Sequence, residues 1–306
     1  MSRLFAFGLG LSAEALATRI ASEGWEIAGT SRDAANIERL GSKGYGVVRF
    51  AGEMTDNLSH TLTGSTHLLH SIPPNQDGDP VLRAGTDAIA ALRTLEWIGY
   101  LSTVGVYGDQ EGAWVDEETP VAPNSDRTRA RVAAEQAWLE FGDDTGVPVQ
   151  IFRLAGIYSP GRSAFDKLRK GTARRIVKPG QVFSRIHVDD IVSVLEASIA
   201  QPRAGAIYNV ADDEPAPPDE VIAYAARLLG VQPPPEVPFE EAELSPMARS
   251  FYEGTRRIGN VRIKSELGVS LRYPTYREGL AAILDKELNL ELAGAQQRLD
   301  RDFQTP

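Results

Sequence analysis

The chain contains no cysteine. That removes disulfides, thiolate nucleophiles and thiolate metal sites together, and it fits a reducing compartment. Histidine is nearly as scarce, with 4 residues, and His67 and His70 fall in one extended stretch at an odd spacing that sends them to opposite faces, away from a shared metal. Both read as structural. Positive charge is also short: 32 Lys and Arg stand against 42 Asp and Glu, for a formal charge of -10. Such a surface repels phosphate backbones and anionic lipid, so neither nucleic acid nor membrane is an expected partner. No apolar run approaches the roughly 20 residues of a membrane span, and the stretch from Met1 to Phe7 is too short for a signal peptide. The expected setting is the cytoplasm.

What the chain does have is a core-forming pattern, 42% apolar over 306 residues. Short runs rich in branched and aromatic residues occur at Leu4 to Phe7, Trp25 to Gly29, Val47 to Phe50, His67 to His70, Ile98 to Ser102 and Val149 to Phe152. Helical patterns lie between them at Ser12 to Ser22, Asp33 to Leu40, Leu82 to Glu96 and Arg127 to Phe141. This alternation predicts an α/β fold, a Rossmann-type doubly wound parallel sheet. After about residue 155 the rhythm breaks into Pro- and Gly-punctuated segments. The expected division is a dinucleotide-binding domain over 1–155 and a smaller α/β substrate cap with C-terminal helices over 156–306, with about 182–212 returning to the first domain. The pattern from Tyr276 to Leu299 predicts a last helix on the outside or at a subunit contact, which makes a homodimer the expected assembly.

Gly8 and Gly10 follow the first strand directly, and Ala13 sits in the first turn of the next helix. In that context Gly-x-Gly-x-x-Ala is a pyrophosphate cradle: a tight turn at Gly8, close backbone approach at Gly10, helix–sheet packing at Ala13, and the amides at Gly10 and Leu11 at the positive helix end. The cofactor is set where the second strand ends, at Gly29 Thr30 Ser31 Arg32. An acid there would bind ribose hydroxyls, whereas Ser31 and Arg32 suit a 2′-phosphate. NADP(H) is expected, with NAD as the alternative. Ser71, Ile72 and Pro73 follow the fourth strand at the ligand-bearing edge and read as cofactor contacts; Glu53, after the third strand, reads as a contact to the adenine amino group.

The stretch Leu101 Ser102 Thr103 Val104 Gly105 Val106 Tyr107 Gly108 resembles the extended short-chain dehydrogenase/reductases, the group of nucleotide-sugar epimerases and dehydratases. So do Arg153 to Gly161, Ile186 His187 Val188 Asp189 Asp190, and Tyr208 Asn209 Val210. The resemblance spans about residues 3–284. It implies that Thr103 hydrogen-bonds the substrate oxygen, with Ser102 the adjacent alternative, that Asp190 caps or anchors a helix while His187 packs, and that a Tyr-x-x-x-Lys motif follows on the next helix. Aligning Ala133 Ala134 Glu135 with the small-small-acid run after that motif puts its two positions at Arg127 and Arg131. Both are arginine, which stays protonated near neutrality and cannot be a general acid or base. This marks an atypical branch.

Tyr107 is the substitute proton donor, or else a packed aromatic of the loop. Arg131 is expected to hold the cofactor ribose and Arg127 to face an anionic substrate or oxyanion. The arginine that clamps a diphosphate in many relatives falls at Phe183, and Arg185 stands two residues on, so a nucleotide-diphosphate sugar is disfavoured. Asp116 Glu117 Glu118 reads as a solvated acidic loop, and Lys167, Arg169, Lys170, Arg174 and Arg175 as a wet basic face. The expectation is an NAD(P)-dependent oxidoreductase acting on a small polar carbonyl or alcohol through Thr103, Tyr107, Arg127, Arg131 and Arg185. The rivals are a cofactor-binding redox sensor without turnover and a nucleotide-sugar epimerase or dehydratase.

Overall fold

The computed structural model describes residues 2–302, with side-chain surroundings through residue 293. Seven strands form the central sheet: β1 (Arg3–Phe7), β2 (Glu26–Ser31), β3 (Gly46–Arg49), β4 (His67–His70), β5 (Trp97–Thr103), β6 (Val149–Leu154) and β7 (Ile207–Val210). All pair in parallel, in the spatial order β7-β6-β5-β4-β1-β2-β3. The order reverses beside β1, and that crevice at the carboxyl edge is where such sheets bind ligands. Parallel strands must be covered on both faces, which explains their near-continuous apolar sequences.

The helices are α1 (Leu11–Ala21), α2 (Ala34–Gly41), α3 (Asp56–Leu62), α4 (Pro80–Ala90), α5 (Asp126–Thr145), α6 (Ala164–Arg169), α7 (Val188–Ala200), α8 (Pro218–Leu228), α9 (Pro246–Ser250), α10 (Val261–Leu267) and α11 (Tyr276–Asp302). One face of the sheet is covered by α1, α7 and α10 through Leu16, Ala17, Ile20, Ile191, Leu195 and Ile263. The other is covered by α3, α4 and α5 through Leu58, Leu62, Val81, Ile89, Trp138 and Phe141.

Two element expectations need correction. The fourth helix starts earlier and ends well before Glu96, because Asp79 caps it ahead of Pro80 and the chain turns at Ala91 to Leu95 into β5. The segment Asp56–Leu62, too short and polar to register as periodic, is a helix capped by Thr55. The cap gathers three two-stranded parallel pairs, Gly156–Tyr158 with Arg185–His187, Arg175–Val177 with Glu236–Pro238, and Trp114–Val115 with Arg257–Ile258. Its core is Tyr158, Phe165, Val221, Ala225, Tyr276, Leu280 and Ile283. Through Leu280 and Ile283 the first turns of α11 pack on this cap, while Leu288, Leu290 and Leu292 further along are exposed. Residues 207–210 close the sheet at one edge as β7, and α7 packs against α1.

Candidate active site

At Gly8 the backbone takes φ +86, and a Cβ there would come within 2.8 Å of Ser71 Oγ and 3.0 Å of Ile72 Cγ1. Ser71 fixes the turn by donating to the Gly8 carbonyl at 2.6 Å. Ser71 and Ile72 thus sit against the glycine turn, with Pro73 exposed beside them. Gly10, with nothing within 4 Å of where its Cβ would be, opens α1 without a side-chain cap. The first helical bond runs from Glu14 N–H to the Gly10 carbonyl. The amides of Leu11, Ser12 and Ala13 therefore have no acceptor within the helix, as an anion site requires. Ala13 is fully buried against the sheet. The chain meets the physical requirements of a dinucleotide cradle.

At the end of β2, Ser31 Oγ accepts from Asn36 Nδ2 at 3.2 Å, and Asp33 spends its carboxylate capping α2 through the Asn36 amide at 2.8 Å. Asp33 is occupied and leaves Arg32 alone. Arg32 is exposed and, among the described residues, makes no hydrogen bond or ion pair. Glu53 is exposed on its loop.

Thr103 ends β5 half-buried, with its Oγ1 accepting the Gly105 amide at 3.1 Å. Its hydroxyl hydrogen remains for an outside acceptor. Ser102 points the other way and donates to Glu135. That carboxylate also holds Arg153, at 2.8 Å, in a buried ion pair. Tyr107 belongs to this buried network: it is fully enclosed, donating to Asn209 Oδ1 at 2.8 Å and accepting from Arg153 Nη1 at 2.9 Å. Burial pushes its phenol above the ordinary tyrosine range, and Arg153 opposes that only in part. Of the two roles the sequence leaves open for Tyr107, this enclosure matches the packed aromatic of the loop and not the proton donor. The short 3-10 turn Val104–Tyr107 swings the ring inward.

Arg131 reaches β5, donating to the Tyr100 hydroxyl at 2.9 Å and the Leu101 carbonyl at 3.0 Å. Tyr100 is itself packed between His70, with ring centroids 5.1 Å apart, and Trp138. His70 and Asp79 form a sealed pair at 2.7 Å. Burial alone would raise the Asp79 carboxyl; the His70 contact and the Leu82 amide hold it below its ordinary range. Arg127 lies exposed in the first turn of α5, over the Phe251 ring at 5.2 Å. Arg185 is half-buried in the cap, with Nη1 tied to the carbonyls of Phe183 and Ala216. Of the expected site residues, Thr103 and Arg131 both lie at β5, Arg127 lies exposed against Phe251, Glu53 is exposed on its loop, and Tyr107 is enclosed.

Three readings of charged residues change. Glu117 is half-buried and accepts the Asn209 amide at 2.7 Å, with burial raising its carboxyl. It is not a freely solvated acid. His187 caps α7 by accepting the Asp189 amide, and burial lowers its pKa to about 4. Asp190 instead anchors the backbone amides of Arg272 and Tyr273 at 2.6 and 3.1 Å. In the basic face, Arg169 pairs with Glu287 and Arg175 with Glu236, so much of its charge is neutralised within the cap.

Fold and glycine turn define a dinucleotide-binding α/β protein of the Rossmann type with a smaller second lobe. A model of the NAD dependent epimerase/dehydratase family matches residues 8–211, and the chain belongs to that family. Protein YeeZ of Escherichia coli (strain K12) is 28% identical over 287 residues, 90% of this chain and 97% of YeeZ. A conserved protein of unknown function from Silicibacter pomeroyi DSS is 52% identical, covering 94% of this chain and 99% of that one with a TM-score of 0.87. The dTDP-glucose 4,6-dehydratase of Bacillus anthracis, solved with NAD, is 19% identical over 95% of this chain and 98% of its own, with a TM-score of 0.73, a likeness of fold.

Proposed function

We propose that the chain is a cytoplasmic, NADP(H)-dependent oxidoreductase that reduces or oxidises a small polar carbonyl or alcohol. The observation that carries the cofactor choice is Arg32, exposed and unpaired beyond β2, with the adjacent Asp33 engaged through one carboxylate oxygen at the cap of α2. The pyrophosphate would rest on the amides of Leu11, Ser12 and Ala13, close against Gly10, whose own amide donates to the Gly8 carbonyl at 2.8 Å, and Ser31 and Arg32 would receive the 2′-phosphate. When bound, the nicotinamide supplies the hydride donor or acceptor. Thr103 would donate its remaining hydrogen to the substrate oxygen, and Arg127 would stabilise charge developing there. With Tyr107 enclosed, the proton comes from water. Arg131, held by Tyr100 and Leu101, is the cation left to steady the cofactor ribose.

One binding series tests the cofactor. NADPH is expected to bind at least about tenfold more tightly than NADH, because a guanidinium–phosphate contact is a charge-assisted bond, and Arg32→Ala should erase the difference. Equal affinities in the parent would overturn the assignment. The second reading, a redox sensor that binds NADP(H) without turnover, is favoured by arginine at both motif positions, Arg127 and Arg131. Thr103→Val separates the two: an oxidoreductase loses turnover with its NADPH affinity kept, while a sensor loses nothing.

A further inference from the structure

Around Tyr252 the cap assembles an aromatic cluster with an unusual electrostatic setting for an acidic protein. Tyr252 packs edge-on to Phe183 at 5.4 Å and stacks with Phe239 at 5.1 Å between ring centroids. Several cations stand near it, and Asp219 is an acid whose charge reaches its phenol. Lys178 lies over Phe239 at 5.1 Å and donates to the Tyr252 carbonyl, Arg249 lies over Phe239 at 4.8 Å, and Arg127 covers the neighbouring Phe251 from α5. Arg256, mostly enclosed, donates to the Gly108 carbonyl just past the Thr103 loop. Among the described residues none of Arg127, Lys178, Arg185, Arg249 and Arg256 has a carboxylate within ion-pair reach, whereas Arg39, Arg153, Arg169 and Arg175 all do.

Arg185 adjoins this cluster through the Phe183 carbonyl. Its guanidinium sits over the Tyr276 ring at 6.0 Å, and Nη1 alone is spent on carbonyls. Nε and Nη2 keep one planar edge of donors, the geometry that matches a single carboxylate. The nearest acid, Asp212, is fully buried with Oδ2 lacking any partner. It does not pair with Arg185. Burial pushes its carboxyl up to about 8, with Arg185 opposing only in part, and the same burial lowers Arg185. Asp109, the acid near Lys178 and Arg256, is occupied by the Thr255 and Glu111 amides. Phe183, at the place of a diphosphate-clamping arginine, is filled by a ring that packs on Tyr252.

We propose that this lobe is a subsite for a small planar monocarboxylate, with Arg185 meeting the carboxylate and the Phe183, Tyr252 and Phe251 rings flanking the body of the ligand. The proposal names the substrate class of the oxidoreductase reading and rests on it. Arg127 links the two places, because it precedes Thr128, which packs toward Gly105, and reaches from the first turn of α5 to Phe251 of the cap.

The test uses a redox-inert probe, so that binding is read apart from turnover. Phenylacetate, its neutral analogue phenylacetamide, and UDP are titrated calorimetrically into the NADPH-saturated full chain. Phenylacetate is expected to bind, phenylacetamide to bind at least about tenfold more weakly, and Arg185→Gln to remove the preference while NADPH affinity stays at the parent value. The acid–amide comparison in the parent protein needs no variant to fold. Arg127→Ala, at an exposed position, should weaken phenylacetate by a few-fold. Equal binding of acid and amide, an unaltered preference in Arg185→Gln, or tighter binding of UDP than of phenylacetate would each overturn the subsite. Turnover of a neutral carbonyl without phenylacetate binding overturns the subsite and leaves the oxidoreductase standing; phenylacetate binding with no hydride transfer to any carbonyl overturns the oxidoreductase and leaves the subsite.

Discussion

Two glycines of one turn separate fold from function at the scale of single residues. Gly8→Ala forces a side chain into φ +86 and against Ser71 and Ile72, so it should destabilise the protein by on the order of 1–3 kcal/mol in denaturant unfolding. Gly10 has φ -91 and open space where a side chain would go, so Gly10→Val, at the N-cap of α1, should cost less stability than Gly8→Ala and abolish NADPH binding. Equal stability losses in both variants would refute this division. Thr103→Ser should keep turnover, since the hydroxyl survives, and Thr103→Val should cut it by about 10² or more if the hydroxyl acts on the reacting oxygen. The turn was legible because its demands are local: absent side chains, a strand before and a helix after. Tyr107 was not. Its nearness to Thr103 along the chain says nothing of direction, and the 3-10 turn between them decides that its hydroxyl faces Asn209 and Arg153.

Among the elements, α4 shows how one side chain can serve two purposes. Asp79 accepts the amides of Val81 and Leu82 with Oδ1 and holds His70 with Oδ2, so one carboxylate starts the helix and fixes the ring against which Tyr100 packs. Asp79→Ala removes the cap and strands a buried imidazole, and should cost about 2–4 kcal/mol by denaturant unfolding. Asp79→Asn keeps an acceptor for the helix amides and should cost clearly less. Equal losses would show that charge on Asp79, rather than its capping, carries the effect. If Tyr100 orients Arg131, Asp79→Ala should also weaken NADPH binding more than its stability loss explains. The strands were readable from apolar runs because a parallel sheet is buried on both faces. Periodicity places the start of α4 at Leu82, whereas Asp79 and Pro80 set it earlier by capping chemistry, which periodicity does not register. The Glu135–Arg153 pair joins α5 to β6 across the chain, and no periodicity announces such a long-range partner.

For the whole molecule, the largest shifts among groups that titrate between pH 2 and 8 belong to Glu14, His187 and Asp212. Glu14, bonded by Arg39 and Lys43 and lowered to about 2 from 4.5, contributes stability above pH 4.5 that is lost as pH falls toward 2. His187, lowered by burial from 6.5 to about 4, stays neutral while the unfolded chain takes up a proton, so its contribution is lost as pH falls from 6.5 toward 4. Asp212 acts in the opposite sense: raised from 3.8 to about 8, its contribution is whole below pH 3.8 and drains away as pH rises through 8. Between pH 4 and 6.5 the His187 and Asp212 slopes cancel, and from 6.5 to 8 only Asp212 remains. The parent should therefore hold a nearly level thermal midpoint from pH 4.5 to 6.5 and decline from 6.5 to 8. Asp212→Asn, which keeps the Glu214 amide contact without the buried acid, should stay level or rise over that upper interval and gain on the order of 1–3 kcal/mol at pH 8. Parallel declines in parent and variant, measured by thermal unfolding in matched ionic strength, would mean that Asp212 ionises freely in the folded protein. Arg185 would then be neutralised by its neighbour, and the charge that the cap reserves for a carboxylate would be gone.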